Sequence, residues 1–121
     1  MAKAIRAGGL ATMGGALVWM ASAYRSLGAS HSARVAPAED AALRTTGAYA
    51  VVRHPIYSGW VGLAFGWAVT TGSEPALAGA ALVGAFYAAR ADVEEQLLAV
   101  RHPDYVDYRR RVRWKFVPGL V

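Results

Sequence analysis

Charge is missing from three long stretches of this chain: residues 7–24, residues 56–73 and residues 75–89. At ~1.5 Å of rise per residue the first two reach roughly 27 Å as helices, close to the about 30 Å hydrocarbon core of a bilayer. The third is shorter, but no helix breaker stands between Ala76 and Arg101. The pattern therefore predicts three membrane-crossing helices, the third leaving the bilayer near Arg90 and running on to about Val100. Between Leu27 and Val52 hydrophobic periodicity disappears, and Ser30, His31, Ser32, Glu39 and Asp40 mark a polar loop.

Punctuation residues place the helix ends. Thr45-Thr46-Gly47 reads as a turn. Pro55 restrains His54 to extended geometry and suits a first helical turn, so the second span starts at or just after Pro55. The connection over residues 70–74 is short and Pro75 can open the returning helix, which makes the second and third spans an antiparallel hairpin. Ala7, Ala11 and Gly15 on the first span, and Gly62 and Gly66 on the second, have the four-residue spacing that lets membrane helices approach closely. Over residues 104–112, Tyr105, Tyr108 and Val112 recur at helical spacing opposite Arg109, Arg110, Arg111 and Arg113. That is a basic amphipathic helix, suited to binding anionic headgroups or to fixing topology.

Composition strengthens the membrane reading. A domain of 121 residues with 55% hydrophobic and 17% charged residues is too apolar for the usual soluble class. The alternative is a soluble bundle of Ala- and Gly-rich helices. Against it stand four Trp and six Tyr, several at span ends where amphipathic rings favour the interface. The run after Lys3 and Arg6 could serve as a signal sequence cut at Ala21-Ser22-Ala23, but Gly8, Gly9, Gly14 and Gly15 interrupt it, which favours a retained helix.

Net charge is +5, and its distribution says more than its total. Four Lys or Arg lie between Arg25 and Arg53, none in the 70–75 turn and seven from Arg90 onward. The positive-inside bias puts the central loop and the C-terminal tail in the cytoplasm and the turn outside. Three spans then leave Lys3 and Arg6 outside, a conflict that spans preceding residue 1 would remove. A cytoplasm-facing inner-membrane protein of a bacterium is the expected setting. Basic residues beside a span need no nucleic acid to explain them, so none is expected. The absence of cysteine excludes disulfides, thiolate metal sites and a cysteine nucleophile, and His31, His54 and His102 lack metal-ligand spacing. No metal is expected.

The topology brings Arg53, His54, Tyr57, Glu94 and Glu95 to the cytoplasmic ends of the hairpin. An ionisable cluster at a membrane edge is costly unless paired, which makes it a candidate site. The plainer reading is that Arg53 pairs with Glu94 or Glu95 to staple the hairpin while Tyr57 anchors in the interface. On their helix, Arg90, Glu94, Leu98 and Arg101 share one face and Ala91, Glu95 and His102 an adjacent one. The two glutamates point about 100° apart, so one can face a ligand while the other braces an arginine.

Leu43-x-Thr-Thr-Gly-x-Tyr-x-x-Val-Arg-His-Pro-Ile-Tyr-Ser-Gly, a hairpin, Arg90-x-x-x-Glu94-Glu95-x-x-Leu98, Tyr105-x-x-Tyr108-x-x-x-Val112 and a closing Val117-Pro118-Gly119 follow in order. This arrangement, over roughly residues 26–121 and with Leu27-Gly28 ahead of the loop, resembles the isoprenylcysteine carboxyl methyltransferase and phospholipid methyltransferase group. The resemblance implies an all-α integral-membrane enzyme that moves a methyl group from S-adenosylmethionine to a lipophilic carboxylate, amine or thiol by in-line displacement. Residues 1–121 would then form one domain: span one over 5–25, a cytoplasmic loop with the donor-binding segment over 26–54, the hairpin over 55–90 and a cytoplasmic segment over 91–121. Gly47, Tyr49, His54, Tyr57, Glu94 and Leu98 would line the donor pocket, and Arg53 and Glu95 would order it or orient the acceptor.

Members of the group usually carry further spans upstream, so the resemblance implies a truncated or minimal form whose acceptor tunnel is either incomplete or completed by a second copy of this chain. Where they tend to show Phe-Gly, this chain has Arg101-His102-Pro103-Asp104-Tyr105, a proline-started tail helix that gives His102 no catalytic role. Two other classes stay open: a non-catalytic membrane subunit or degenerate homologue, and a reductase of the sterol reductase type using a nicotinamide cofactor.

Overall fold

The computed structural model describes residues 1–27 and 43–121. Helix α1 covers Ala2–Leu27, a short 3-10 turn covers Gly47–Ala50, and helices α2 (Pro55–Thr71), α3 (Glu74–Arg101) and α4 (Tyr105–Arg111) follow. Among the described residues there is no strand. The polar loop expected before Leu43 lies mostly outside them.

Local chemistry sets the boundaries. Pro55 occupies the first turn of α2. Gly72 ends that helix in the left-handed region, at φ 62°, and its N–H donates to Ala68 O at 2.9 Å. Ser73 then caps α3, its side chain accepting from the Ala76 N–H, with Pro75 in the first turn. Only Gly72 and Ser73 separate the two helices, so the hairpin is as tight as the sequence predicts.

α2 lies between α1 and α3, packing on both, and α4 folds back on α3. The α1–α2 seam is built from small residues. A Cβ added at Gly9 would sit 2.7 Å from the Gly66 carbonyl oxygen, and one added at Gly66 would sit 2.8 Å from the Gly9 carbonyl oxygen. Farther along, Gly62 meets Ala16 and Gly59 meets Met20. The stripe on α1 is therefore Gly9, Met13, Ala16, Met20 and Ala23. Ala7, Ala11 and Gly15, expected from their spacing to pack, are exposed, whereas Gly62 and Gly66 are at the seam as expected. The register follows the bulkier pair Met13 and Met20, which fill the gaps between glycines of α2. Trp19 Nε1 donates to Ser58 Oγ at 2.9 Å and pins the seam near one end.

Large apolar side chains remain on the outside: Leu10, Leu17, Val18, Trp60, Phe65, Trp67, Leu77, Leu82 and Phe86 are all exposed. A belt of this kind on three neighbouring helices suits lipid rather than water. By length and apolarity α3 passes as a membrane-crossing helix, alone among the described helices. α2 is 17 residues long, and the many Ala and Gly of α1 dilute its hydropathy. At 28 residues α3 extends roughly 42 Å, more than a hydrocarbon core needs, so its charged end projects beyond.

Candidate functional site

The end of α1, the start of α2 and the charged end of α3 come together at one end of the molecule, and the 3-10 turn and the tail close over them. Gly47 enters the turn at φ 61°, and a Cβ there would sit 2.1 Å from Ser26 Oγ. Glycine is needed at this point for conformation and for close approach to α1. Ser26 Oγ in turn accepts from the Ala48 N–H at 3.2 Å. The half-buried Tyr49 is held from the other side, its carbonyl accepting from the Tyr108 hydroxyl at 2.7 Å.

Arg53 and His54 are fixed by the tail. The Arg53 N–H donates to Trp114 O and the His54 N–H to Lys115 O, both at 2.9 Å. The Arg53 guanidinium donates through Nη1 to Val112 O at 3.0 Å and to Arg113 O at 2.9 Å. Its Nε donates to Glu95 Oε1 at 2.7 Å, and His54 Nε2 meets the same oxygen at 2.9 Å. An ionised carboxylate only accepts, so this contact sets the His54 proton on Nε2. His54 is 6% exposed and Glu95 7%. A carboxylate this deeply placed persists as an ion because two donors converge on it.

Glu94, one residue earlier, points elsewhere. Its Oε2 accepts a short hydrogen bond from the Tyr57 hydroxyl. Arg90 Nε donates to the same hydroxyl at 3.0 Å, and the Arg90 guanidinium lies 5.8 Å from the Tyr57 ring centroid. The Tyr57 hydroxyl is thus held between a carboxylate and a guanidinium. Its ring stacks on His54, with centroids 5.4 Å apart and planes 4° from parallel, and meets Tyr87 at 4.9 Å on a tilt. The second oxygen of Glu94 takes no hydrogen bond from any described residue, and the side chain is only half-buried.

The tail completes the enclosure. Tyr105, Tyr108 and Val112 are buried together, with Leu43 and Leu98 packed against them. Phe116 lies 5.9 Å from the His54 ring, and Lys115 Nζ pairs with Asp92 at 2.5 Å. Burial raises the phenols of Tyr49, Tyr105 and Tyr108 above the ordinary tyrosine value, with the Glu94 carboxylate adding to the effect at Tyr49, so all three stay neutral.

The model for the phospholipid methyltransferase family matches residues 4–105, which is most of the chain and includes Arg53, His54, Arg90, Glu94 and Glu95. The chain belongs to the phospholipid methyltransferase family. The family falls in the group of membrane methyltransferases that also contains the isoprenylcysteine carboxyl methyltransferases. No curated protein and no solved structure matches the chain. The matched region of this phospholipid methyltransferase homologue takes in α1, which lies ahead of the motifs read from the sequence, and stops at Tyr105 at the start of α4.

The residues singled out by sequence therefore separate into two groups. Tyr57 and Glu94 form one, and Arg53, His54 and Glu95 form another, joined where His54 stacks on Tyr57. Gly47 and Tyr49 lie in the turn beside them, and Leu98 packs under the tail. Sequence reasoning set Arg90 on the Glu94 face without counting it in the site and left out Tyr87; together the two complete the Tyr57 environment. Their signal was present: residues 87, 90 and 94 follow the three- and four-residue spacing of one helix face. The carbonyls of Val112 and Arg113 had no such signal, because backbone acceptors carry no side-chain identity.

Proposed function

We propose that this chain is an S-adenosylmethionine-dependent methyltransferase acting on a lipophilic acceptor at the cytoplasmic face of the membrane. The observation that carries this reading is the Tyr57 hydroxyl held between Glu94 and Arg90, with one Glu94 oxygen uncommitted among the described residues. The donor set matches the cofactor's chemistry. A carboxylate and aromatic faces suit its sulfonium and ammonium cations, and a guanidinium suits its carboxylate. Tyr49 and the glycine-bearing turn at Gly47 offer a further ring and an approachable backbone.

When bound, S-adenosylmethionine supplies an electrophilic methyl group. The chain's own residues would bind and align. Glu94 and Tyr57 hold the donor, Arg90 keeps the Tyr57 hydroxyl in place, and the His54 ring backs the Tyr57 face. Leu98 keeps the tail seated over the turn. Arg53 and Glu95 serve as positioning residues: their pair is internally satisfied, and it fixes the segment between the Tyr49 turn and the start of α2 at His54. In-line methyl transfer needs alignment more than a covalent nucleophile, and holding two reactants in line contributes about 7 to 11 kcal/mol. With α1 and α3 packed on either side of α2, three spans side by side would give an apolar acceptor access from the lipid side.

The acceptor class, whether carboxylate, amine or thiol, is read by a transfer assay. Full-length chain in membranes, given donor with a radiolabelled methyl group and a total lipid and protein extract, is expected to label a lipophilic fraction. Glu94→Gln should reduce the label strongly at a donor concentration that saturates only the wild type. Absence of label in every fraction, from protein that still binds the donor product, would overturn the transferase reading.

A further inference from the structure

The methyl-transfer reading uses the charge of Arg90 and Arg53 and leaves the arginines of the tail unassigned. Because α4 buries Tyr105, Tyr108 and Val112 against Leu98, Arg109, Arg110 and Arg111 are turned outward and are exposed, as is Arg113 just beyond. Between α4 and the end of α3, the residues Ala99, Tyr105, Val106, Arg109 and Arg110 line a recess of about 420 Å³. Arg109 and Arg110 form no hydrogen bond or ion pair with any described residue. Among the described residues no carboxylate lines the recess; Asp104 and Asp107 of the same segment lie outside its lining.

Two uncommitted guanidinium groups beside aliphatic walls match a phosphodiester carried on an apolar stem. The apolar flank continues outward, since Val100 is 84% exposed and Val106 49%. A freely soluble anion would gain nothing from that flank, whereas a lipid would. We propose that this recess binds the phosphate of an anionic phospholipid headgroup, with Arg109 and Arg110 as its donors, and so docks the tail on the bilayer surface. The proposal needs the membrane setting of the family and does not depend on methyl transfer. Docking there steadies the same segment that holds Arg53 through the Val112, Arg113 and Trp114 carbonyls.

The test is thermal unfolding of the full-length chain in neutral detergent, titrated separately with short-chain phosphatidylglycerol, short-chain phosphatidylcholine and inorganic phosphate. Phosphatidylglycerol is expected to raise the melting temperature at lower concentration than either other probe, and added salt should weaken the effect. Because directed hydrogen bonds from two guanidinium groups to the phosphate are lost, the double variant Arg109→Gln/Arg110→Gln should need at least roughly tenfold more lipid for the same rise. Arg111→Gln/Arg113→Gln removes the same charge from outside the recess and should leave the titration close to wild type. Equal losses in the two double variants would overturn the recess in favour of diffuse attraction. An equal response to inorganic phosphate would overturn the lipid assignment. No response to phosphatidylglycerol in folded protein would overturn both.

Discussion

Adjacent glutamates do different work in this site because a helix turns about 100° between them. Glu95 is enclosed by Arg53 and His54, so neutralising it strands a guanidinium in a buried place. Glu95→Gln should cost about 3 to 5 kcal/mol of stability, seen as a large drop in melting temperature in detergent. A small change would mean that the pair is not a brace. The tail tyrosines differ in a similar way. Tyr108→Phe loses its hydrogen bond to the Tyr49 carbonyl and should cost about 1 kcal/mol. Tyr105→Phe removes a hydroxyl with no partner among the described residues and should be neutral or slightly stabilising, with the order of the two variants checked by chemical denaturation. From sequence, the divergence of Glu94 and Glu95 was legible, as was the pairing of Arg53 with one of them. Which glutamate Arg53 takes depends on how far α2 and α3 are rotated about their axes, and spacing alone does not fix that rotation.

Between elements, the decisive contact is the glycine seam of α1 and α2. Gly9→Ala and Gly66→Ala each push a methyl group into backbone of the facing helix and should destabilise by about 1 to 3 kcal/mol. Gly8→Ala and Gly15→Ala meet nothing within 4 Å and should be neutral, or stabilising by up to about 1 kcal/mol through helix propensity. Melting temperatures of the four variants in one detergent test the seam; a drop at Gly8 or Gly15 equal to that at Gly9 would place the packing face wrongly. The tight hairpin and the helix starts were legible because Pro55, Gly72, Ser73 and Pro75 act locally. The packing stripe of α1 was misread because Ala and Gly are so common there that several four-residue spacings compete, and the two methionines that break the tie lack a small-residue signature.

The whole molecule is a layer of three antiparallel helices whose shared end is sealed by the tail. That seal is rich in buried phenols. In the unfolded chain tyrosines release their protons near about pH 10, whereas burial keeps Tyr49, Tyr105 and Tyr108 protonated beyond it. Above that point the unfolded state binds fewer protons than the folded one, so stability falls as pH rises and is fully retained below it. Melting temperature should decline from about pH 10 upward, and a flat profile would mean the phenols are not buried. The all-helical class and the family were legible in the sequence because apolar runs and ordered motifs lie along the chain. The closure of the tail over Arg53 was not, because it rests on backbone carbonyls.

On the function proposed above, Tyr57 and Glu94 would hold the methyl donor while Arg53 and Glu95 hold the scaffold. Calorimetric binding of S-adenosylhomocysteine to the full-length chain in detergent tests it most directly. Wild type should bind. Glu94→Gln, which keeps the shape of the site and the Arg53–Glu95 brace, should weaken binding roughly tenfold to a hundredfold through the lost charge-assisted contact, with little change in melting temperature. Unchanged affinity in Glu94→Gln, or no binding by folded wild type, would contradict the account.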